Sequence, residues 1–256
     1  MRIYRIQHEG TPRYARLEEA DSEKLTLLTD APWLGGSPSG VHASLAQATL
    51  LAPVSPSKIV CVGRNYAAHA KELGNAVPSE PLLFLKPPSA LVGPDAAIVL
   101  PPMSERVEHE AEIGLVVGAR LRHVSPQEAL AGIFGVTAVN DVTARDLQRK
   151  DVQFTRAKGF DTFCPVGPFV EAGCVPDELG VIGRVNGQVR QQGRATQMIF
   201  GIETLIAFIS EVMTLEPGDL IATGTPEGVG PLVAGDVVEI EVTGPGVSLR
   251  NRVTSH

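Results

Sequence analysis

Glu108, Glu110 and Glu112 occupy alternate positions in a run of charged residues that leads directly into the apolar stretch Ile113-Gly114-Leu115-Val116-Val117. In an extended chain successive side chains point to opposite faces, so these three carboxylates project the same way. Like charges so placed repel unless something positive sits among them. They fit two descriptions: a solvated strand edge whose charges discourage aggregation, or a cation site. The zinc motif HExxH does not apply, because His109 and Glu110 lie on opposite faces of a strand and no second histidine follows at helical spacing. Asp141 closes another apolar run, FGVTAVND, where a metal ligand or catalytic base would stand, although an Asp ahead of Thr143-Ala144-Arg145 also suits a helix N-cap. Ligation by two Glu and one Asp, with positions left for water and substrate, suits a hard cation such as Mg²⁺ or Mn²⁺ better than zinc.

Three further groups carry chemical potential. On a short helix His69 and Glu72 are three residues apart and can touch, so the carboxylate would orient the imidazole and raise its basicity toward water. The same spacing also describes an ordinary solvated pair. Lys158 stands between Phe154 and Phe160, either as a partly desolvated cation for a substrate carboxylate or as a snorkelling surface lysine. The segment ATGTPEGVG, which contains Thr223, follows a strand-like run and offers hydroxyls and backbone N–H groups to an anion. It lacks the Gly-Lys-Ser/Thr of a phosphate-binding loop.

Many short strands must position these groups. Apolar, β-branched segments bounded by Gly or Pro recur at residues 81–86, 96–101, 112–119, 134–141, 165–171, 181–189, 219–224 and 236–242, after a first buried strand at 58–63. Helical periodicity is confined to residues 67–73, 126–131, 144–148 and, most clearly, 202–213. With 26 Gly and 20 Pro in 256 residues, the pattern predicts a β-dominated α+β fold rather than a regular βαβ one. Residues 1–52 read as a small β-rich N-terminal domain, a Pro/Ser-rich linker follows, and 53–256 form the larger domain.

The net charge of -7 is spread along the chain without a basic stripe, which excludes nucleic acid as the expected partner. No apolar run reaches the ~18 residues of a spanning helix, and the N-terminus lacks a signal-peptide core, so a soluble cytoplasmic protein without membrane association is expected. Cys61, Cys164 and Cys174 lack CxxC spacing and read as free thiols.

Together, CVGRNYAAHAKE, EPLLFLKP, HEAEIGLVVG, VNDVTARDLQ, AKGFDTFCPVGP, VNGQVRQ and MTLEPGDLIATGTPEGVGP occur in an order that resembles the fumarylacetoacetate hydrolase superfamily over residues 58 to 253. The resemblance implies layered mixed β-sheets forming a sandwich-like roll, a homodimer, and one divalent ion, Mg²⁺ (or Mn²⁺), held by Glu110, Glu112 and Asp141. It further implies His69 and Glu72 on a lid, where hydrolytic members activate water, and Lys158, Gln148, Thr223 and Arg145 on substrate oxygens. The name-giving hydrolases carry an additional aspartate ligand before the lid histidine. Val60-Cys61-Val62-Gly63 supplies no acid there, so the resemblance implies three protein carboxylates completed by water.

The implied substrates are small 2-oxo acids or diacids reacting through a metal-stabilised enolate. The wording is closest to 2-hydroxyhepta-2,4-diene-1,7-dioate isomerase/decarboxylase members of aromatic catabolism and to acylpyruvase and oxaloacetate decarboxylase members. The His69–Glu72 pair places carbon–carbon cleavage first, by acylpyruvate hydrolysis or oxaloacetate-type decarboxylation, and isomerisation second. A non-catalytic, metal-stabilised diacid-binding module would keep the three acids without needing His69 or Lys158.

Overall fold

The computed structural model describes residues 1–173 and 178–256; Cys174 lies outside them. Its architecture is the β-dominated one expected, built from three sheets. The largest has twelve strands. Its centre consists of Cys164–Ala172, Ile133–Asn140, Ala111–Val117, Leu220–Ala222, Ile59–Gly63 and Leu82–Lys86 in that spatial order. Neighbours are antiparallel except Leu220–Ala222 and Ile59–Gly63, which run parallel, so the sheet is mixed.

The apolar runs are continuous where the sheet is covered on both faces, because each face needs its own apolar set. Every residue of Ala111–Val117 is buried. Ile113, Leu115 and Val117 join one core with Val181, Ile240, Val242 and Leu249, which come from a five-stranded second sheet. Val116 points the other way, into a smaller cluster with Val139, Cys61, Cys164 and Leu220. Cys61 and Cys164 are buried free thiols, as expected from their spacing. In the second sheet Val237–Thr243 buries Val238, Ile240 and Val242 and turns Glu239 and Glu241 outward, the alternation of a strand covered on one side.

Residues 181–189 read as one strand, but they are parts of two. Gly180–Val185 and Gln188–Arg194 form a hairpin, because Asn186 (φ 53°) and Gly187 (φ 75°) both take the left-handed conformation that a tight two-residue turn requires. The N-terminal strands Arg2–His8, Thr11–Glu18, Asp21–Leu28 and Pro38–Ser44 form a meander that continues the main sheet. Its first strand pairs with Cys164–Ala172, Ile3 opposite Val170. The clearest expected helix is Ile202–Val212, which buries Ile202, Leu205, Ile206 and Ile209. No helix among the described residues is long and apolar enough to cross a membrane.

The site is set by one crossing of the chain between sheets. Val107–His109 belongs to a third, three-stranded sheet, and Ala111–Val117 belongs to the main one, with Glu110 at the junction. Ala111 pairs with Asn140, and the Asp141 N–H donates to the Glu110 carbonyl at 2.9 Å. That register brings two acid-bearing segments together.

Candidate active site

Glu108, Glu110, Glu112 and Asp141 are all at most 4% exposed, so the solvated-edge description of the glutamates does not hold. Glu110, Glu112 and Asp141 each present a carboxylate oxygen within 4.8 Å of the others, which brings the three expected ligands together. The backbone at this point is pinned: the Glu110 N–H donates to Asn140 Oδ1 at 3.0 Å.

Buried acids at such separation need positive charge, and three buried cations provide most of it. Lys158 Nζ donates to Glu110 Oε2 at 2.7 Å and to Asp141 Oδ2 at 2.6 Å. Lys86 Nζ donates to Asp141 Oδ1 at 2.7 Å and to the Val142 carbonyl at 3.1 Å. Arg145 spans Glu108, at 2.7 Å from Nε, and Glu110. Burial alone would raise the Glu110 carboxyl, but Lys158 and Arg145 outweigh it and hold the group well below the usual carboxylate range. Burial would likewise lower the Lys158 ammonium, and Asp141 and Glu110 raise it instead.

Glu112 is the exception. Its side chain accepts from the Gly224 N–H at 2.8 Å, and among the described residues it has no ion pair. Burial, reinforced by the charges of Asp141 and Glu110, pushes its carboxyl well above the ordinary value. Glu108 also accepts from Arg106 Nε at 2.5 Å, so of the four buried acids Glu112 alone lacks a cation partner among the described residues. An all-oxygen triad with an uncompensated carboxylate fits a hard divalent cation.

His69 is buried on the short helix Ala67–Glu72, and its Nδ1 meets Glu72 Oε2 at 3.1 Å. With Nδ1–H donated to the carboxylate, Nε2 is left as the basic nitrogen. Glu72 is itself held, because its Oε1 accepts from the Gly228 N–H at 3.0 Å. Only glycine fits at position 228: φ is +97°, and a Cβ would lie 1.9 Å from the Arg190 carbonyl oxygen. His69, Glu110, Glu112, Asp141, Arg145, Gln148 and Lys158 therefore line one cavity of about 210 Å³.

Gln148 accepts from Arg145 Nη1 while facing that cavity. Thr223 does not line it; its hydroxyl donates to the Ile113 carbonyl at 2.9 Å. The residue that faces the cavity is Thr225, because the chain leaves the strand at Ala222 and the side-chain parity beyond it follows the loop. Lys158 is buried rather than snorkelling, 5.0 Å from the centre of the Phe84 ring, and Phe84 meets Phe154 edge-on at 5.6 Å. Its aromatic neighbour is therefore Phe84, which the local sequence does not reveal.

Sequence reasoning missed Lys86 and Gln191. Lys86 could have been found as a charge closing the strand PLLFLK. Gln191 is buried, accepts from the Ala111 N–H at 2.9 Å, and donates to Thr225 Oγ1 at 2.7 Å and the Pro226 carbonyl at 2.8 Å. It ties the glycine-rich loop to the second sheet. It closes the segment VNGQVRQ, but nothing in that segment singles it out for this role.

A layered β fold carrying a buried carboxylate triad, ammonium groups and an oriented histidine around one cavity defines an acid–base centre. Residues 58–254 match the family described as fumarylacetoacetate (FAA) hydrolase C-terminal, and residues 1–53 match one described as Rv2993c-like, N-terminal. The chain belongs to the fumarylacetoacetate hydrolase family. It is 43% identical over 221 residues to human mitochondrial oxaloacetate tautomerase FAHD2A, covering 81% of this chain and 70% of that protein. The crystal structure of 5-carboxymethyl-2-hydroxymuconate delta-isomerase from Mycobacterium smegmatis superposes with a TM-score of 0.93 at 41% identity, covering all of both chains. That of 2-hydroxyhepta-2,4-diene-1,7-dioate isomerase from Mycobacterium marinum gives 0.90 at 41% identity, over all of this chain and 98% of that one.

Proposed function

We propose that this chain is a divalent-metal-dependent enzyme that interconverts tautomers or isomers of small 2-oxo acids by moving a proton next to the 2-oxo group. The observation that carries the reading is one cavity in which the Glu110–Glu112–Asp141 triad, the Lys158 ammonium and the Glu72-oriented imidazole of His69 converge. The names of the tautomerase and isomerase relatives support proton transfer over cleavage, which reverses the order of preference drawn from the dyad alone.

Glu110, Glu112 and Asp141 would hold Mg²⁺ or Mn²⁺, which when bound supplies Lewis-acid stabilisation of charge on the 2-oxo oxygen. His69 Nε2 takes or returns the substrate proton while Glu72 fixes the ring. Lys158 holds Glu110 ionised, donates to Asp141, and supplies positive charge near the substrate carboxylate. Arg145 orients the Gln148 amide, and Gln148 contacts a substrate oxygen. The burial of these groups excludes bulk water, so each charge acts at low dielectric.

Carbon–carbon cleavage is the second reading, favoured by the His69–Glu72 contact, which would equally activate a water molecule. The test follows enol absorbance of oxaloacetate, acetylpyruvate and 2-hydroxyhepta-2,4-diene-1,7-dioate with and without Mg²⁺ or Mn²⁺, together with release of carbon dioxide or pyruvate. Metal-dependent loss of enol absorbance without either product is the expected result. Product release would select cleavage, and silence on all three substrates would leave a diacid-binding module.

A further inference from the structure

We propose that Gln191 is a positioning residue whose single buried amide holds both halves of the machinery in place, the carboxylate triad and the His69–Glu72 pair. The inference rests on the enzymatic reading above and goes beyond it by giving a residue outside the cavity lining the placement of groups inside it.

Gln191 stands apart in its strand. Its neighbours Arg190 and Gln192 are exposed, whereas Gln191 is buried and uses its amide four times. The backbone fixes which way that amide faces, because the Ala111 N–H can only donate and the Pro226 carbonyl can only accept. Oε1 therefore accepts from the Ala111 N–H and from His109 Nδ1, both at 2.9 Å. Nε2 donates to Thr225 Oγ1 at 2.7 Å and to the Pro226 carbonyl at 2.8 Å.

The need for this amide follows from where a strand stops. Ala111–Val117 pairs with Leu220–Ala222 only from Gly114 to Val116, so Ala111 extends past the end of its neighbour on that side. Its N–H goes to Gln191 instead, and its carbonyl accepts from the Thr225 hydroxyl at 2.9 Å. Ala111 is the residue between Glu110 and Glu112, so side chains hold the backbone that carries two of the three acids.

The same amide holds the loop beyond Ala222. Thr225 and Pro226 lie between Gly224, whose N–H donates to Glu112 Oε2 at 2.8 Å, and Gly228, whose N–H donates to Glu72 Oε1 at 3.0 Å. One end of the loop thus meets the triad, and the other meets the residue that orients His69. Glycines seat the loop closely on the hairpin: a Cβ on Gly193 would lie 2.9 Å from Pro226 Cβ. Without the amide, the buried Ala111 N–H and Pro226 carbonyl lose their partner, and the loop gains by moving toward water.

The test uses the full chain carrying Gln191→Leu, which removes the amide at similar volume, and Thr225→Val, which removes the hydroxyl. Hydrogen exchange is read by mass spectrometry on the cation-free protein, and Mg²⁺ affinity by calorimetry. In Gln191→Leu, exchange over residues 223–228 should quicken by about tenfold or more while the helix Ile202–Val212 exchanges as before. Mg²⁺ affinity should fall by about tenfold to a hundredfold, as for groups that orient a ligand without touching the ion. Thr225→Val should move both readouts the same way by less, and Thr225→Ser, which keeps the hydroxyl, should restore them. The Thr225 variants decide the question if Gln191→Leu does not fold. A lower urea midpoint with loop exchange and Mg²⁺ affinity both unchanged overturns the positioning role. Faster loop exchange with weaker Mg²⁺ binding, in a chain that turns over no 2-oxo acid, sustains that role and overturns the enzymatic reading.

Discussion

The floor and the mouth of the cavity use the same residue types under opposite rules. At the floor the buried cations Lys86, Lys158 and Arg145 are all paired and lock Glu108, Glu110 and Asp141 into one network. Where the lining reaches solvent, at the mouth, Arg64 is half-buried and Arg149 exposed, and neither has an ion pair among the described residues; Glu72, behind His69, is 31% exposed. A buried ion cluster costs desolvation energy and is kept together only by complete pairing, so its members act jointly in stability as well as chemistry. Groups at the mouth have water as a fallback, so changes there alter rate or selectivity and leave the fold standing. The comparison separates a preorganised centre from a rim that selects.

The largest expected effect breaks the floor. Lys86→Met removes one of the two ammonium groups on Asp141 and the donor to the Val142 carbonyl, so it should lower stability by about 3–5 kcal/mol and abolish turnover. Urea denaturation measures the first; a loss below about 1 kcal/mol, the range of an exposed pair, would remove the distinction between floor and mouth. His69→Ala should cut turnover by about 10²- to 10⁴-fold with a much smaller change in the urea midpoint. Glu72 keeps its bond from Gly228 in that variant, so the helix Ala67–Glu72 retains its anchor. Turnover equal to that of the unsubstituted chain would take His69 out of the proton path.

The same contrast explains what the sequence reveals. Strand positions are legible because β-branched runs end at Gly or Pro, and the triad is legible as a candidate because alternation puts Glu110 and Glu112 on one face. Whether those acids meet solvent or cations depends on Lys86 and Arg145, which arrive from distant segments, and on the pairing of Ala111 with Asn140. No local pattern encodes that pairing. Lys86 at the end of an apolar run looks like any snorkelling lysine. Gln191 gives no signal in a hairpin of polar residues, and the exchange of Thr223 for Thr225 turns on where one strand ends. The docking of Arg2–His8 on Cys164–Ala172 is equally silent, since the first strand of a meander does not name the distant strand it joins.

Glu112 offers the finest test, because it is the floor residue that behaves least like the floor. Its carboxyl is pushed up by burial and by its acidic neighbours, so the cation-free folded chain keeps that proton at pH values where an unfolded chain has lost it. In that window folding takes up a proton at Glu112, and this residue's contribution to stability falls as pH rises. A divalent cation needs the ionised form, so binding expels the proton and affinity climbs by up to about tenfold per pH unit until the raised pKa is passed, then levels off. Titrations of Mg²⁺ in two buffers of different ionisation enthalpy count the released proton. Glu112→Gln should weaken binding and remove the slope together, whereas affinity independent of pH in the unsubstituted chain would mean that the missing positive charge at the floor is not supplied by a cation on Glu112.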